Sequence, residues 1–206
     1  ALDPVRGITN LSSGKMGFAL ATAAQQAGAQ VTLVAGPVAL ATPHGVRRID
    51  VRSALDMQAA VLAQAGQADV FIATAAVADW RPAQVATEKI KKDGGGGMTA
   101  IQFQENPDIL AEVAASPQAK SGALFCVGFA AESHDLQAHA QAKRLRKGVP
   151  LMVGNIGPAT FGADDNALLL VDAQGSTEWP RATKLALARQ LVAEVARRLK
   201  SSKEHA

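Results

Sequence analysis

The stretch SALDMQAAVLAQAGQADVFIATAAVAD, residues 53–79, decides the fold class. Ser53 stands where a helix N-cap stands, and apolar residues then recur at helical spacing as far as Gly66. The run that opens at Ala68 is short, apolar and rich in strand formers before it passes into very small residues, which reads as a buried strand. A capped helix feeding directly into a buried strand is one unit of a strand–helix alternation. The same alternation extends in both directions. VTLVAG (31–36), ALFCVGFAAE (123–132), PLMVGNI (150–156) and NALLLVD (166–172) read as strands, and MTAIQFQ (98–104) alternates like a half-exposed one. Helices are expected from Gly17 to near Gly28, over 106–116 with Asn106 as cap and Pro107 in its first turn, over 135–148 closed by Gly148, and over 181–200. Strands joined through helices by short connections imply an α/β fold: a doubly wound, mostly parallel, Rossmann-like sheet with helices on both faces. One domain over 1–206 is expected. In such sheets ligands bind beyond the carboxyl ends of the strands, which singles out the segments after Ala75, Phe129 and Val153. ALDPVRGITN is turn-like and no strand precedes the first helix, so the first strand is expected to be missing from the N-terminus.

Composition narrows the class. The 206 residues are 48% hydrophobic but only 4% aromatic, with no tyrosine, so the core has to be built from Ala, Val, Leu and Ile. The net charge of +3 is small and sits partly in the C-terminal tail, which gives no basis for a nucleic-acid partner. Cys126 is the single cysteine and lies in an apolar run, where a small buried hydrophobe is favoured over a nucleophile. No apolar run approaches the ~20 residues of a membrane span and no signal-peptide pattern occurs, so a cytoplasmic protein without membrane partners is expected. The histidines lack zinc-ligand spacing, and H-E-x-x-H, C-x-x-C, G-x-S-x-G and G-x-G-x-x-G are absent.

ITNLSSGKMG (8–17) contains Ser-Ser-Gly-Lys but is not a P-loop. Where the pattern requires glycine the chain has Thr9, and where it requires Ser or Thr after Lys15 the chain has Met16. The helix that follows has Ser12 and Ser13 at the positions of N-caps, and a helix start with free N–H groups is an anion site in waiting. An ordinary capped helix with a solvated lysine is the plain alternative. TEKIKKDGGGG (87–97) concentrates lysines before consecutive glycines, either a solvated hairpin tip or a flexible lysine/glycine lid that closes over a polyphosphate. ATAAVADW (73–80) ends a strand in small side chains and then Asp79, which could recognise the amine edge of a base or cap a turn. Phe129, placed just past a strand end, could stack on a ring or belong to the core. Lys143 and Lys147 share one helix face, solvated or ligand-facing.

Together these stretches resemble the phosphopantothenate–cysteine ligase family, also called phosphopantothenoylcysteine synthetases, the coenzyme A biosynthetic domain that bacteria usually carry fused behind a flavin-dependent decarboxylase. The resemblance runs in order through LDPVRGITNLSSGKMG, VTLVAGPV, AAVADWRPA, EKIKK, NPDIL, VGFAAE, KRLRKG and NALLL. It implies a two-step reaction. The carboxylate of 4′-phosphopantothenate attacks the α-phosphate of CTP, giving an acyl-cytidylate and pyrophosphate, and the amine of L-cysteine then displaces CMP. Carried over residue by residue, Asn10 would hold the acyl-cytidylate and serve its conversion, and Lys89 would stabilise charge at the α-phosphate. Arg6 would grip the intermediate or the substrate phosphate, with Ala75 and Ala76 lying against it. CTP would be bound by Ser12, Asp79, Lys89, Pro107, Asp108, Ile109, Leu110, Phe129, Lys143 and Lys147. The resemblance also implies Mg²⁺ carried largely by the nucleotide phosphates with no assigned protein ligand, no flavin in this domain, and a homodimer whose site is shared across the interface.

Two rivals stand beside it. An NADP-dependent reductase on the same frame would need an upstream glycine fingerprint and a Tyr-Lys pair, and the chain has no tyrosine. A non-catalytic nucleotide-binding module would bind CTP and release nothing.

Overall fold

A computed structural model describes residues 1–91, 100–132, 134–156 and 163–204. The chain enters through an irregular segment with a turn over Asp3–Arg6 into α1 (Lys15–Gln26), then β1 (Thr32–Ala35), β2 (Arg47–Asp50), α2 (Ala54–Ala65) and β3 (Val70–Ala73). A small antiparallel pair follows, β4 (Trp80–Pro82) with β5 (Phe103–Glu105), then the short helices α3 (Ile109–Ala114) and α4 (Pro117–Lys120). The second half runs β6 (Phe125–Glu132), α5 (Leu136–Lys147), β7 (Leu151–Ile156), β8 (Asp165–Val171), β9 (Ser176–Thr183) and α6 (Lys184–Glu204).

The main sheet has five strands in the order β3-β6-β7-β8-β9, and β1 and β2 form a separate parallel pair. β3, β6 and β7 are mutually parallel, and the sheet turns antiparallel at β8 and β9. Strand alternation sorts the core into two layers. Val127, Leu151, Val153, Leu168 and Leu170 face α1 and α6, packing on Leu20, Leu187 and Leu191. Cys126, Ala130, Met152, Leu169 and Val171 face the opposite way, towards Val61 of α2, Val113 of α3 and Ala140 of α5. Helices therefore cover both faces, as the alternation predicts. Burying one such leucine is worth about 1.5–3 kcal/mol relative to leaving it in water.

Local chemistry explains most element ends. Ser53 caps α2 with a reciprocal box: its hydroxyl accepts from Asp56 N–H at 3.1 Å, and the Asp56 carboxylate accepts from Ser53 N–H at 3.0 Å. Gly148 closes α5 in the left-handed conformation, φ 66°.

Several sequence expectations are corrected. Neither Ser12 nor Ser13 caps α1; the cap is Gly14, at φ 72°. That left-handed residue also makes the turn, and the serines lie one step out, where their hydroxyls accept from Gly14 N–H and Lys15 N–H, both at 3.4 Å. Asn106 is not the cap of the next helix either: Asp108 is, accepting from Ala111 N–H at 3.1 Å. The final helix begins at Lys184, not at 181, because 176–183 is strand β9. Phe129 lies inside β6, paired with Val153, and packs against the α1/α6 layer. The expected lid is described only as far as Lys91; Lys92 and Gly94–Gly97 lie outside the described residues. No described helix is long and apolar enough to cross a membrane.

Candidate functional site

The parallel strands β3 and β6 end on the same side, and the turn beyond β3 carries Ala75, Ala76 and Asp79. The turn after β3 is gripped from two sides. From the front of the chain, the Asn10 side-chain amide donates to the carbonyls of Ala76 and Val77, each at 3.2 Å. From the far side, Asn106 donates its side-chain amide to Ala78 C=O at 2.8 Å and its backbone N–H to Asp79 C=O at 2.8 Å. Arg81 donates to the Asn106 side-chain oxygen at 3.2 Å, which sets the amide's orientation. α1 can approach this turn because position 17 is glycine: a Cβ there would stand 2.8 Å from Thr74 Oγ1. Ala75, Ala76 and Asp79 are exposed on the turn so formed.

The next side chains come from α3 and α5. Lys147 donates to the Asp108 carboxylate, so the N-cap of α3 and the last turn of α5 are tied by one ion pair. Lys147 is mostly buried, with 16% of its side chain exposed, whereas Asp108 keeps 46%. Burial pushes the Asp108 carboxyl up, but the Lys147 hydrogen bond, the Ala111 N–H and the nearby cations outweigh it, and the net direction is down. One turn back, Lys143 is half-buried and makes no hydrogen bond or ion pair among the described residues. Burial lowers its pKa; Glu132 at the end of β6 and, more weakly, Asp79 pull it back up, while Lys147 and Arg146 add to the lowering. Lys143 is thus a partly desolvated cation whose neighbours include the turn gripped by Asn10 and Asn106.

The third group lies at the start of the chain. Asp3, only 1% exposed, accepts from the Val5 and Arg6 N–H groups at 2.8 Å each. Its other oxygen accepts from Arg6 Nε at 2.9 Å, from Arg6 Nη2 at 2.5 Å and from Ile90 N–H at 3.2 Å. Arg6 Nη2 also donates to Ile90 C=O at 2.7 Å. The Arg6 guanidinium holds the Asp3 carboxyl far below the usual carboxylate range. Lys89 and Lys91 flank the residue so held, and both are exposed.

Ser12 is exposed just before α1, beside Gly14, against which the Val38 side chain packs. Pro107 precedes the α3 cap, while Ile109 and Leu110 are buried beneath it, Leu110 lying close to Gly128 of β6. The Phe129 side chain belongs to the other face of the sheet from α3 and α5. Residue types alone did not single out Asp3 or Asn106 as supports of the site. Each acts through backbone groups far away in sequence, and only the juxtaposition of Leu-Asp-Pro-Val-Arg with the lysine block in one resemblance hinted at the first. Among the described residues, no three His, Cys, Asp or Glu side chains are grouped to hold a metal.

Over residues 1–199 the sequence matches the family described as the DNA/pantothenate metabolism flavoprotein C-terminal domain. The chain belongs to this family. Among its relatives, the coenzyme A biosynthesis bifunctional protein CoaBC of Vibrio cholerae is 51% identical over 191 residues, covering 91% of this chain and 47% of that protein. CoaBC of Escherichia coli K12 is 48% identical over 201 residues, covering 96% of this chain and 49% of that protein. The chain therefore spans about half the length of the curated relatives it matches. The crystal structure of the C-terminal domain of CoaBC superposes with a TM-score of 0.81 at 34% identity, covering 97% of this chain and 90% of that one. A Cab2 variant in complex with phosphopantothenate-cysteine shares the fold at TM-score 0.79 and 16% identity, covering 98% of this chain and 82% of that one. Membership in the DNA/pantothenate metabolism flavoprotein C-terminal family fits the position of the site, since Asn10, Asp108, Lys143 and Lys147 all lie within the matched residues.

Proposed function

We propose that this chain joins 4′-phosphopantothenate and L-cysteine into 4′-phosphopantothenoylcysteine through an acyl-cytidylate made from CTP. The observation that carries the reading is the meeting of Asn10 with the Ala76–Val77 carbonyls. It joins a front segment to the turn beyond β3, in a chain related to CoaBC over nearly its whole length. The Cab2 variant's complex with phosphopantothenate-cysteine supports the substrate class.

In the first step a carboxylate oxygen of phosphopantothenate bonds to the α-phosphorus of CTP and the bond to pyrophosphate breaks. In the second, the cysteine nitrogen bonds to the acyl carbon, CMP leaves, and the nitrogen loses a proton. Neither step demands a strong acid or base from the protein; both demand alignment and compensation of phosphate charge. Lys89 stabilises the α-phosphate, while Lys143 and Lys147 serve the triphosphate beside Asp108 and Pro107. Asn10, Ala75 and Ala76 hold the acyl-phosphate, Arg6 serves the substrate end, and Asp79 contributes to the base pocket. Mg²⁺ fits as a passenger of the phosphates rather than of a protein cage, because Asp108 and Asp3 are already engaged by cations. When bound it would neutralise phosphate charge.

A homodimer belongs to the same proposal. Val5, Ile8 and Leu11 of the front segment and Trp80, Val85 and Phe103 on or near the β4–β5 pair expose apolar surface that a second copy would cover. So do a fused flavin-dependent decarboxylase and a cytoplasmic location.

The test is pyrophosphate release from CTP, with and without phosphopantothenate, followed by addition of cysteine. The reading expects release only with phosphopantothenate, CMP and amide on adding cysteine, and release slowed at least a hundredfold, to a residual single-turnover rate, in Lys89→Gln. Binding of CTP with no release would leave a non-catalytic module, and faster turnover with ATP would overturn the nucleotide assignment.

A further inference from the structure

We infer that Asp3 is a positioning residue that acts on the first half-reaction through Lys89, by clamping the backbone of Ile90. The inference rests on the role proposed above for Lys89. Both polar groups of the Ile90 backbone are held by one salt-bridged pair from the front of the chain. The N–H donates to Asp3 Oδ2 at 3.2 Å, and the C=O accepts from Arg6 Nη2 at 2.7 Å. The pair is itself rigid: Arg6 addresses the same carboxylate oxygen with Nε and Nη2, and Asp3 Oδ1 is fixed by two backbone N–H groups of its own turn. A further backbone bond, Ala86 N–H to Leu2 C=O at 3.0 Å, aligns the approach to the lysine block.

The Lys89 side chain makes no hydrogen bond or ion pair among the described residues, so its own contacts do not fix where its ammonium hangs. A lysine has four rotatable side-chain bonds, and its reach is defined only if its Cα is fixed. The backbone bonds to the adjoining residue supply that fixity. A displacement of about 1 Å is the scale at which alignment-dependent steps lose around a hundredfold in rate. The geometry also gives Arg6 a structural duty beside any contact with substrate.

The clamp is tested first without any activity. By amide hydrogen exchange in the full chain, the Ile90 N–H is expected to exchange at least tenfold more slowly than the Lys89 N–H. Asp3→Asn, which keeps the size but loses the charge that organises Arg6, is expected to abolish that difference. Single-turnover release of labelled pyrophosphate from CTP is then compared in wild type, Asp3→Asn, Lys89→Ala and the double variant. Asp3→Asn is expected to lower the rate at least tenfold with the KM for CTP within threefold, and to change the rate less than twofold when Lys89 is already alanine. An unprotected Ile90 amide in wild type overturns the clamp even if the variant does not fold. Equal rate losses in both backgrounds overturn action through Lys89. A wild type that releases no pyrophosphate with protected Ile90 strikes the proposed function and removes Asp3 from catalysis, leaving only the clamp.

Discussion

Gly128 in β6 is where a single methyl group should disturb the site through packing alone. A Cβ built there would stand 2.7 Å from Leu110 Cδ2, 2.8 Å from Met152 Cε and 2.9 Å from Met152 Sδ. Relaxed carbon contacts lie at about 3.5–4.0 Å, so the neighbours must yield by roughly 0.6–1.3 Å. Met152 is fully buried but unbranched and can absorb part of the strain. Leu110 is also buried, and it is anchored in α3, whose cap Asp108 holds Lys147. Overpacking of this kind costs about 1–3 kcal/mol. For a domain of this size each kcal/mol moves Tm by about 2–4 °C, so Gly128→Ala should melt roughly 2–12 °C below wild type. Leu110→Ala alone should cost about 2–5 kcal/mol by opening a cavity. In the double variant the new methyl fills part of that cavity, so the pair should be less destabilised than the sum by at least about 1 kcal/mol. Urea or thermal melts of the four proteins measure this directly. If the two costs simply add, or if Gly128→Ala melts within a degree of wild type, the close approach of β6 to α3 is not as described.

Three other outcomes are expected. Arg197 and then Arg198 hold the Glu194 carboxyl down at about 2, against 4.5 in an unpaired chain, with burial opposing them. A lowered folded value means the stabilisation is complete above 4.5 and is lost as pH falls through 4.5 towards about 2; acid melts of Glu194→Gln should therefore lack that part of the slope. Cys126 is buried with its thiol pushed up to about 11, so a thiol reagent at pH 8 should modify it only as fast as the protein unfolds. A fast phase in native buffer would contradict its place in β6. Lys143→Met removes a partly desolvated charge that has no hydrogen bond among the described residues, so melting should be unchanged or raised by a few degrees while the KM for CTP rises at least tenfold; a loss of stability without a change in KM would make Lys143 structural.

The sequence carried the α/β alternation because the core strands are strongly patterned. VFIA, FCVGFAAE and LMVGNI are apolar enough to be strands wherever they lie. The strands it concealed are those whose residues serve an edge or a short pairing. β2 is Arg-Arg-Ile-Asp, β4 is only Trp-Arg-Pro, and β9 is polar with Pro180, a pattern tolerated in an edge strand. β9 ran straight into α6 without a turn signal, so the helix was expected three residues early. In the site, the Lys143–Lys147 spacing was legible because it is local. Asn106 was misread as a cap for the opposite reason: its partners are the carbonyl groups of Ala78 and Asp79, reached across the β4–β5 pair. Side chains that work on distant backbone leave no periodic trace.

The same distinction explains how the site's charges are arranged. Asp3 and Asp108 each hold a cation tightly, Arg6 and Lys147; the first pair is local and grips the Ile90 backbone, and the second ties α3 to α5. Among the described residues Lys89 and Lys143 have no such partner, and the acids that act on Lys143, Glu132 and Asp79, do so only at a distance. A cation already in a close ion pair offers a phosphate only what remains after that pair is broken or shared, whereas an unpaired one offers its full field. On the proposed function, the incoming triphosphate is therefore met first by Lys143 and Lys89. Lys147, whose partner carboxylate remains half exposed, joins by sharing its charge between Asp108 and the nucleotide. Asp3 and Asp108, which would otherwise repel a polyanion, are neutralised in the act of building the frame, and among the described residues that frame leaves Lys89 and Lys143 without an ion pair.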